Sequence, residues 1–405
     1  MCPSLTTEQP QDGVHAMVPR ERMCESARKL RDTYARVPGI SFFKREYGFY
    51  CLEAWNEQGV PLDSLPEGTP LDMLFDYYLL HELFDYDPPG NHTLGQLGGC
   101  EAAFEPAFEV KVLEDRGDYE VEQDFAGRRV LYFKGRRQGF MPQYLDHPVK
   151  DMRTWVEDVK WRLDPATPER FVGLETRMQQ AQAAAAQGLM ISQYMVGAYM
   201  YLRSLMGPEP LLYAFYDMPD LVHDCMQSWL DLADGVLARH QEYVTIDEIL
   251  FDEDICYNRG SLISPDMMRE FLFPYYQQLI SNVKARQIDQ TRHLYVQIET
   301  DGYVVPVIPL YQEAVGMDVT GPLEVAAGCD VVEIGRQYPD LVLLAGIDKR
   351  VLAKGPEAID VHLNYVLPPM RERGGYIPMC DHGVPEEVSY DNYVYYRKRC
   401  VELGG

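Results

Sequence analysis

The chain has no apolar run of about 18 residues or more, so no membrane-spanning helix is expected. Its N-terminal stretch MCPSLTTEQPQDGVHAMVPRERM lacks the apolar core of a secretion signal, which predicts a cytoplasmic protein with a disordered tail over residues 1–38. Basic residues are scarce. Lys and Arg number 37 against 63 Asp and Glu, a net charge of −26, and such a field repels nucleic-acid phosphates. The 9 cysteines are odd in number and include no CxxC pair, so neither a disulfide framework nor a zinc-ribbon phrase is present. HExxH, GxSxG, P-loop and GxGxxG phrases are also missing, which removes the usual signatures of zincins, α/β-hydrolases, NTPases and dinucleotide enzymes.

What is present is alternation. Apolar strand-like runs at 189–197, 248–254, 293–302, 315–324, 341–349 and 375–382 are each followed by a helical pattern. Strand–helix units in succession imply a parallel sheet. A further strand is expected at 40–48, and Met73 to Leu80 is the weaker candidate for an eighth. Residues 85–165, with EVKVLEDRGDYEVEQDFAGRRVLYFKG at their centre, alternate like a β-hairpin turning near DFAG. The expected fold class is α/β, a (β/α)8 TIM barrel over residues 39–405 elaborated by the hairpin region at 85–165.

Five successive strands end in polar groups: Glu253 and Asp254; Glu299 and Asp301; Glu324; Asp348; and Cys380, Asp381 and His382. In a parallel barrel these ends meet on one face, where chemistry is done. So many carboxylates need a cation, a shared proton or hydrogen-bond donors. The candidates are a metal, a cationic substrate, or Arg45, Arg259 and Lys349. Singly, each acid could equally cap the helix that follows it. Cys380, beside Asp381 and His382, is a candidate thiolate ligand for zinc or an inert buried thiol.

Several phrases resemble the uroporphyrinogen decarboxylase superfamily: FFKREYGFYCLEAWNEQGVP, MPQYLDHPVKDMRTW, FDEDICYNRGSLISPDMMREFLFPYY, GPLEVAAGCDV, LLAGIDKRVLA and GGYIPMCDHGVPEEVSYDNYVYY. The resemblance is to its methyltransferase-like branch, and it implies a barrel with one pocket at the carboxyl ends of the strands. Decarboxylases of the group carry an arginine-rich first strand that holds substrate carboxylates; here that stretch offers only Lys44 and Arg45. The zinc-dependent methyltransferases of the group carry His-x-Cys and a later Cys. The resemblance matches the later Cys to Cys380 and replaces the pair with Glu299 and Asp301.

The resemblance therefore implies a methyltransferase of a cobamide- or folate-linked demethylation system, with a carboxy-lyase or a non-catalytic binder of a corrinoid or small ligand as alternatives. His382, Asp254 and Glu253 are the expected catalytic groups, Arg45, Glu324, Asp348 and Asp381 the substrate-binding ones, and Glu299, Asp301 and Cys380 the metal ligands. Zinc is the expected metal, and a corrinoid or tetrahydrofolate the co-substrate. Expected partners are a small molecule, a corrinoid protein and, as one option, a second copy of the chain; nucleic acid and membrane are not.

Overall fold

The chain is described as a computed structural model over residues 17–63, 65–135 and 142–405. Thirteen strands occur in chain order among these residues. They are β1 (Asn91–Leu97), β2 (Lys111–Arg116), β3 (Tyr119–Gln123), β4 (Arg129–Phe133), β5 (Gln143–Asp146), β6 (Met190–Val196), β7 (Glu248–Asp252), β8 (Cys256–Tyr257), β9 (Gly260–Ser261), β10 (Tyr295–Glu299), β11 (Val319–Gly321), β12 (Val342–Leu344) and β13 (Tyr376–Ile377). Seven of them form one parallel sheet in the order β1-β6-β7-β10-β11-β12-β13. Parallel neighbours need long crossovers, and helices such as Pro219–Gln241 and Pro356–Arg373 supply them.

All six strands expected after residue 188 are present, each shorter than its apolar run. The helix before β6 begins at Leu174, behind a short 3-10 turn at Pro168–Phe171. Pro274 splits its helix: a π turn at Met268–Leu272 precedes Phe273–Arg286, because the proline offers no N–H to the preceding turn. Ser264 caps the start, accepting the Met267 N–H.

Two expectations change. The seventh sheet strand is β1, inside the region expected to be pure elaboration, and the rest of that region forms a four-stranded antiparallel sheet, β2-β3-β4-β5. Segment 40–48 makes no ladder; the next residue, Phe49, forms isolated bridges to Leu74 and Val384. Side chains take the backbone groups a ladder would use. Glu46 accepts the Cys380 N–H at 2.7 Å, and Asp87 accepts the Lys44 N–H at 2.7 Å. The segment nevertheless runs beside the sheet: Phe43 packs with Val319, Leu344, Ile377 and Met379 in one apolar cluster, which forms the floor under the site.

The N-terminal stretch expected to be a tail carries the helix Glu25–Tyr34; residues 1–16 lie outside the described ones. Burial and charge order this helix. Leu30 and Tyr34 join the floor cluster, and Arg31 reaches Asp247 at 3.1 Å. Asp247 is buried, also pairs with Arg292, and accepts the Ile191 N–H at 2.8 Å. Replacing Asp247 with Ala strands two guanidinium groups against the base of the sheet. The variant should lose about 3–5 kcal/mol of stability in urea unfolding. A loss below about 1 kcal/mol would mean the helix is held by apolar contact alone.

Candidate functional site

Along a strand, alternate residues face opposite sides. On β7, Glu248, Leu250 and Asp252 are in phase; on β10, Tyr295, Gln297 and Glu299. Asp252 and Glu299 are register partners at the carboxyl ends of their strands, so their carboxyls meet and hydrogen-bond. Tyr47 donates to Glu299 Oε1 at 2.9 Å, and Tyr194 donates to Asp252 Oδ2 at 2.9 Å. The result is a line of four groups crossing segment 40–48, β10, β7 and β6.

Burial pushes the Glu299 carboxyl well above the usual carboxylate range, and the charges of Asp252 and Asp301 add to it. Asp252 is also raised, by burial first, while its bonds from Glu299 and Tyr194 oppose the rise. Two adjacent carboxyls cannot both ionise cheaply, so the pair holds one proton and one negative charge. We assign the proton to Glu299, whose carboxyl is pushed well above the usual range, whereas bonds from Glu299 and Tyr194 oppose the rise at Asp252.

The pair lies in a cavity of about 1870 Å³, larger than a typical small-ligand pocket. Arg45, Asp254, Asp301 and His382 line the same cavity, so these expected site residues are brought together with Glu299. His382 Nε2 lies 3.6 Å from Asp301 Oδ2. Asp254 pairs with Arg203 at 2.9 Å and holds a left-handed backbone, φ +42, which an Asp tolerates better than most residues. Arg45 donates from Nε to Met379 Sδ, and among the described residues no carboxylate oxygen lies within 4.0 Å of its guanidinium.

The remaining expected residues do other work. Glu253 is fully buried in the helix layer, accepting from Tyr276 and, at 2.6 Å, from Tyr311. It is out of phase with Asp252, so it faces away from the cavity. Cys380 is fully buried, and burial together with Glu46 and Asp381 holds its thiol well above its ordinary pKa. Asp381 accepts backbone N–H groups of Val325 at 2.9 Å and Lys349 at 3.0 Å. Glu324 accepts the Gly302 N–H at 2.9 Å and pairs with Lys349 at 3.1 Å. Asp348 caps the helix Lys349–Leu352 and pairs with Arg350. Arg259 is exposed between β8 and β9. These groups order the loops around the mouth.

The expected zinc set does not assemble. Cys380 is fully buried and does not line the cavity, Glu299 is engaged with Asp252, and among the described residues no three His, Cys, Asp or Glu side chains are grouped to hold a metal. Asp252, Tyr47 and Tyr194 are the site residues that strand ends alone did not identify.

A helix-flanked parallel sheet with its cavity at the strand carboxyl ends defines an α/β enzyme-type architecture. A uroporphyrinogen decarboxylase (URO-D) family model matches residues 172–401, more than half of the chain. The chain belongs to that family. No curated protein sequence matches it. Among solved structures, a methyltransferase from Methanosarcina mazei superimposes with TM-score 0.57 at 14% identity, covering 93% of this chain and 98% of that one. The overlap shows the shared fold. Two further overlaps are weaker. One is a candidate vitamin-B12-independent methionine synthase from Listeria monocytogenes (TM-score 0.30, 13% identity, 56% and 68% of the two chains). Another is an endo-glycoceramidase II from Rhodococcus sp. (TM-score 0.28, 13% identity, 57% and 66%). No helix among the described residues is long and apolar enough to cross a membrane.

Glu253 generates a pH prediction. Burial raises its pKa from 4.5 to about 7. The folded state therefore favours the protonated form, and the stability this contributes is full below pH 4.5 and lost as pH rises through about 7. Unfolding free energy should fall across that window by something on the order of 3 kcal/mol from this group. Glu253→Gln should flatten the fall in denaturant titrations at successive pH values; an unchanged slope would place the titration elsewhere.

Proposed function

We propose that this chain is a methyltransferase of a cobamide- or folate-linked demethylation system. It takes a methyl group from a small donor bound in the cavity, and its acceptor is a corrinoid on a separate protein or tetrahydrofolate. The observation that carries this reading is the Asp252–Glu299 pair, one proton and one negative charge on the wall of an acid-rich cavity. A methyl group moves as an electrophile: the carbon–heteroatom bond breaks, its electron pair stays on the heteroatom, and the acceptor supplies the pair for the new bond. Glu299 can deliver its proton to a heteroatom that would otherwise leave as an anion. The remaining charge of the pair can instead offset a donor that is already cationic. The rigid sheet contributes alignment, the main requirement of such a transfer.

In this reading segment 40–48 is the eighth stave of a (β/α)8 barrel, supported by its floor packing and its bridges at Phe49. The protein works in the cytoplasm. A carboxy-lyase acting on a small acid is the second reading. Arg45 favours it, since a guanidinium in the cavity with no ion-paired carboxylate within 4.0 Å among the described residues can hold a substrate carboxylate.

The test presents the purified protein with reduced cobalamin as surrogate acceptor and a panel of methylated amines and ethers, following methylcobalamin by absorbance. Methyl transfer by the parent is expected. Glu299→Gln and Asp252→Asn should each lower kcat/KM by about tenfold or more. Release of CO2 from small carboxylic acids, abolished by Arg45→Met and unaccompanied by methyl transfer, would replace the first reading with the second.

A further inference from the structure

Four rings at the cavity wall close a cycle. Tyr47 meets Phe75 at 6.2 Å between centroids, Phe75 meets Tyr50 at 6.0 Å, Tyr50 meets His382 at 5.7 Å, and His382 meets Tyr47 at 4.9 Å. The two contacts of Phe75 are edge-on, so the faces are not stacked flat against one another. All four rings line the cavity. Phe75 is 50% exposed there, an apolar surface that nothing else in the described chain covers. Tyr50 reaches its place only because residue 383 is glycine: a Cβ there would lie 2.4 Å from the Tyr50 ring.

One charged group stands beside the rings. Asp301 touches His382, and its Oδ1 is buried with no hydrogen-bond partner among the described residues. Glu299, bonded to the Tyr47 hydroxyl, lies next along the wall. The cavity's cations are placed elsewhere. Arg203 is paired with Asp254, Arg170 and Arg177 donate to backbone carbonyls, and Arg45 lies against Met379.

Aromatic faces attract cations, most strongly cations without a tight hydration shell. A primary ammonium carries three N–H donors and needs as many acceptors. Among the described residues the Tyr47 hydroxyl is committed to Glu299, which leaves Asp301 and the Tyr50 hydroxyl as the acceptors at the rings. A quaternary ammonium has no N–H to satisfy and needs only ring faces and a counter-charge. We infer that Tyr47, Tyr50, Phe75 and His382, with Asp301, form a binding box for a small quaternary ammonium group. The inference rests on the methyl-transfer reading for its role, since a quaternary ammonium is a methyl donor whose nitrogen leaves as a neutral amine and needs no proton. As a binding site it stands on the rings and Asp301 alone.

The experiment is a binding measurement on the whole chain, with tetramethylammonium and choline as probes, by titration calorimetry and ligand-detected NMR. The neutral control is the tert-butyl analogue of choline, with carbon in place of nitrogen. Both cations should bind saturably, and choline should bind about tenfold or more tighter than its neutral analogue. Tyr50→Leu, Phe75→Leu and Asp301→Asn should each weaken tetramethylammonium by about tenfold while the melting temperature holds. Phe75→Tyr, which keeps a ring face, should retain binding and so separates loss of the box from a general disturbance. Equal affinity for choline and its neutral analogue, or variants that bind like the parent, would overturn the inference. Binding without any methyl transfer would uphold the box and remove the reaction assigned to it. Methyl transfer from uncharged donors with no binding of either cation would remove the box and leave the reaction standing.

Discussion

The pairing register of two neighbouring strands governs this site. Because Asp252 and Glu299 are opposite one another at the ends of β7 and β10, two carboxyls share a space that can hold only one charge. Everything around them is arranged to make that tolerable. Tyr47 and Tyr194 approach from either side with hydroxyl donors. Arg203 neutralises Asp254, the next acid along. Without such donors the pair would carry the cost of buried unsatisfied oxygens on top of the shared charge.

The segment carrying Tyr47 is bound to this arrangement by Glu46. One Glu46 oxygen accepts the Tyr47 N–H at 3.0 Å and the Cys380 N–H at 2.7 Å, and the other accepts from Tyr393 at 2.7 Å. A single buried carboxylate thus fixes both Tyr47 and the stretch leading to His382. It also explains why the segment forms no ladder with the stretch leading to His382: the Cys380 backbone N–H is spent on the Glu46 side chain.

Much of the sheet was legible from the sequence, because apolar runs followed by helical patterns are its direct signature, and Ser264, Asp348 and Ser389 cap the helices that follow. β1 was not legible. Asn91–Leu97 carries Asn, His, Gly and Gln, and its pairing with β6 slips between Thr93 and Gln96, so neither composition nor alternation marks it. The mouth was legible as a place and misread in its details. Counting polar residues at strand ends found Glu299, Asp301, Asp254 and His382, but it also took in Glu253 and Cys380. The two-residue alternation separates Glu253, since Asp252 and Asp254 line the cavity and Glu253 faces the helix layer; past the end of β13, Met379 and His382 line the cavity and Cys380 does not. Tyr47 and Tyr194 carried no sequence signal, because their partners are far away in the chain.

The most direct measurement is carbon-13 NMR of the chain labelled at Asp and Glu side-chain carboxyls, titrated from pH 5 to 8. With Glu299 and Asp252 sharing a proton, one protonated carboxyl should persist at neutral pH and vanish in Glu299→Gln, and Asp252→Asn should shift its titration. Full ionisation of both carboxyls by pH 6, with no resonance that responds to either substitution, would contradict the account.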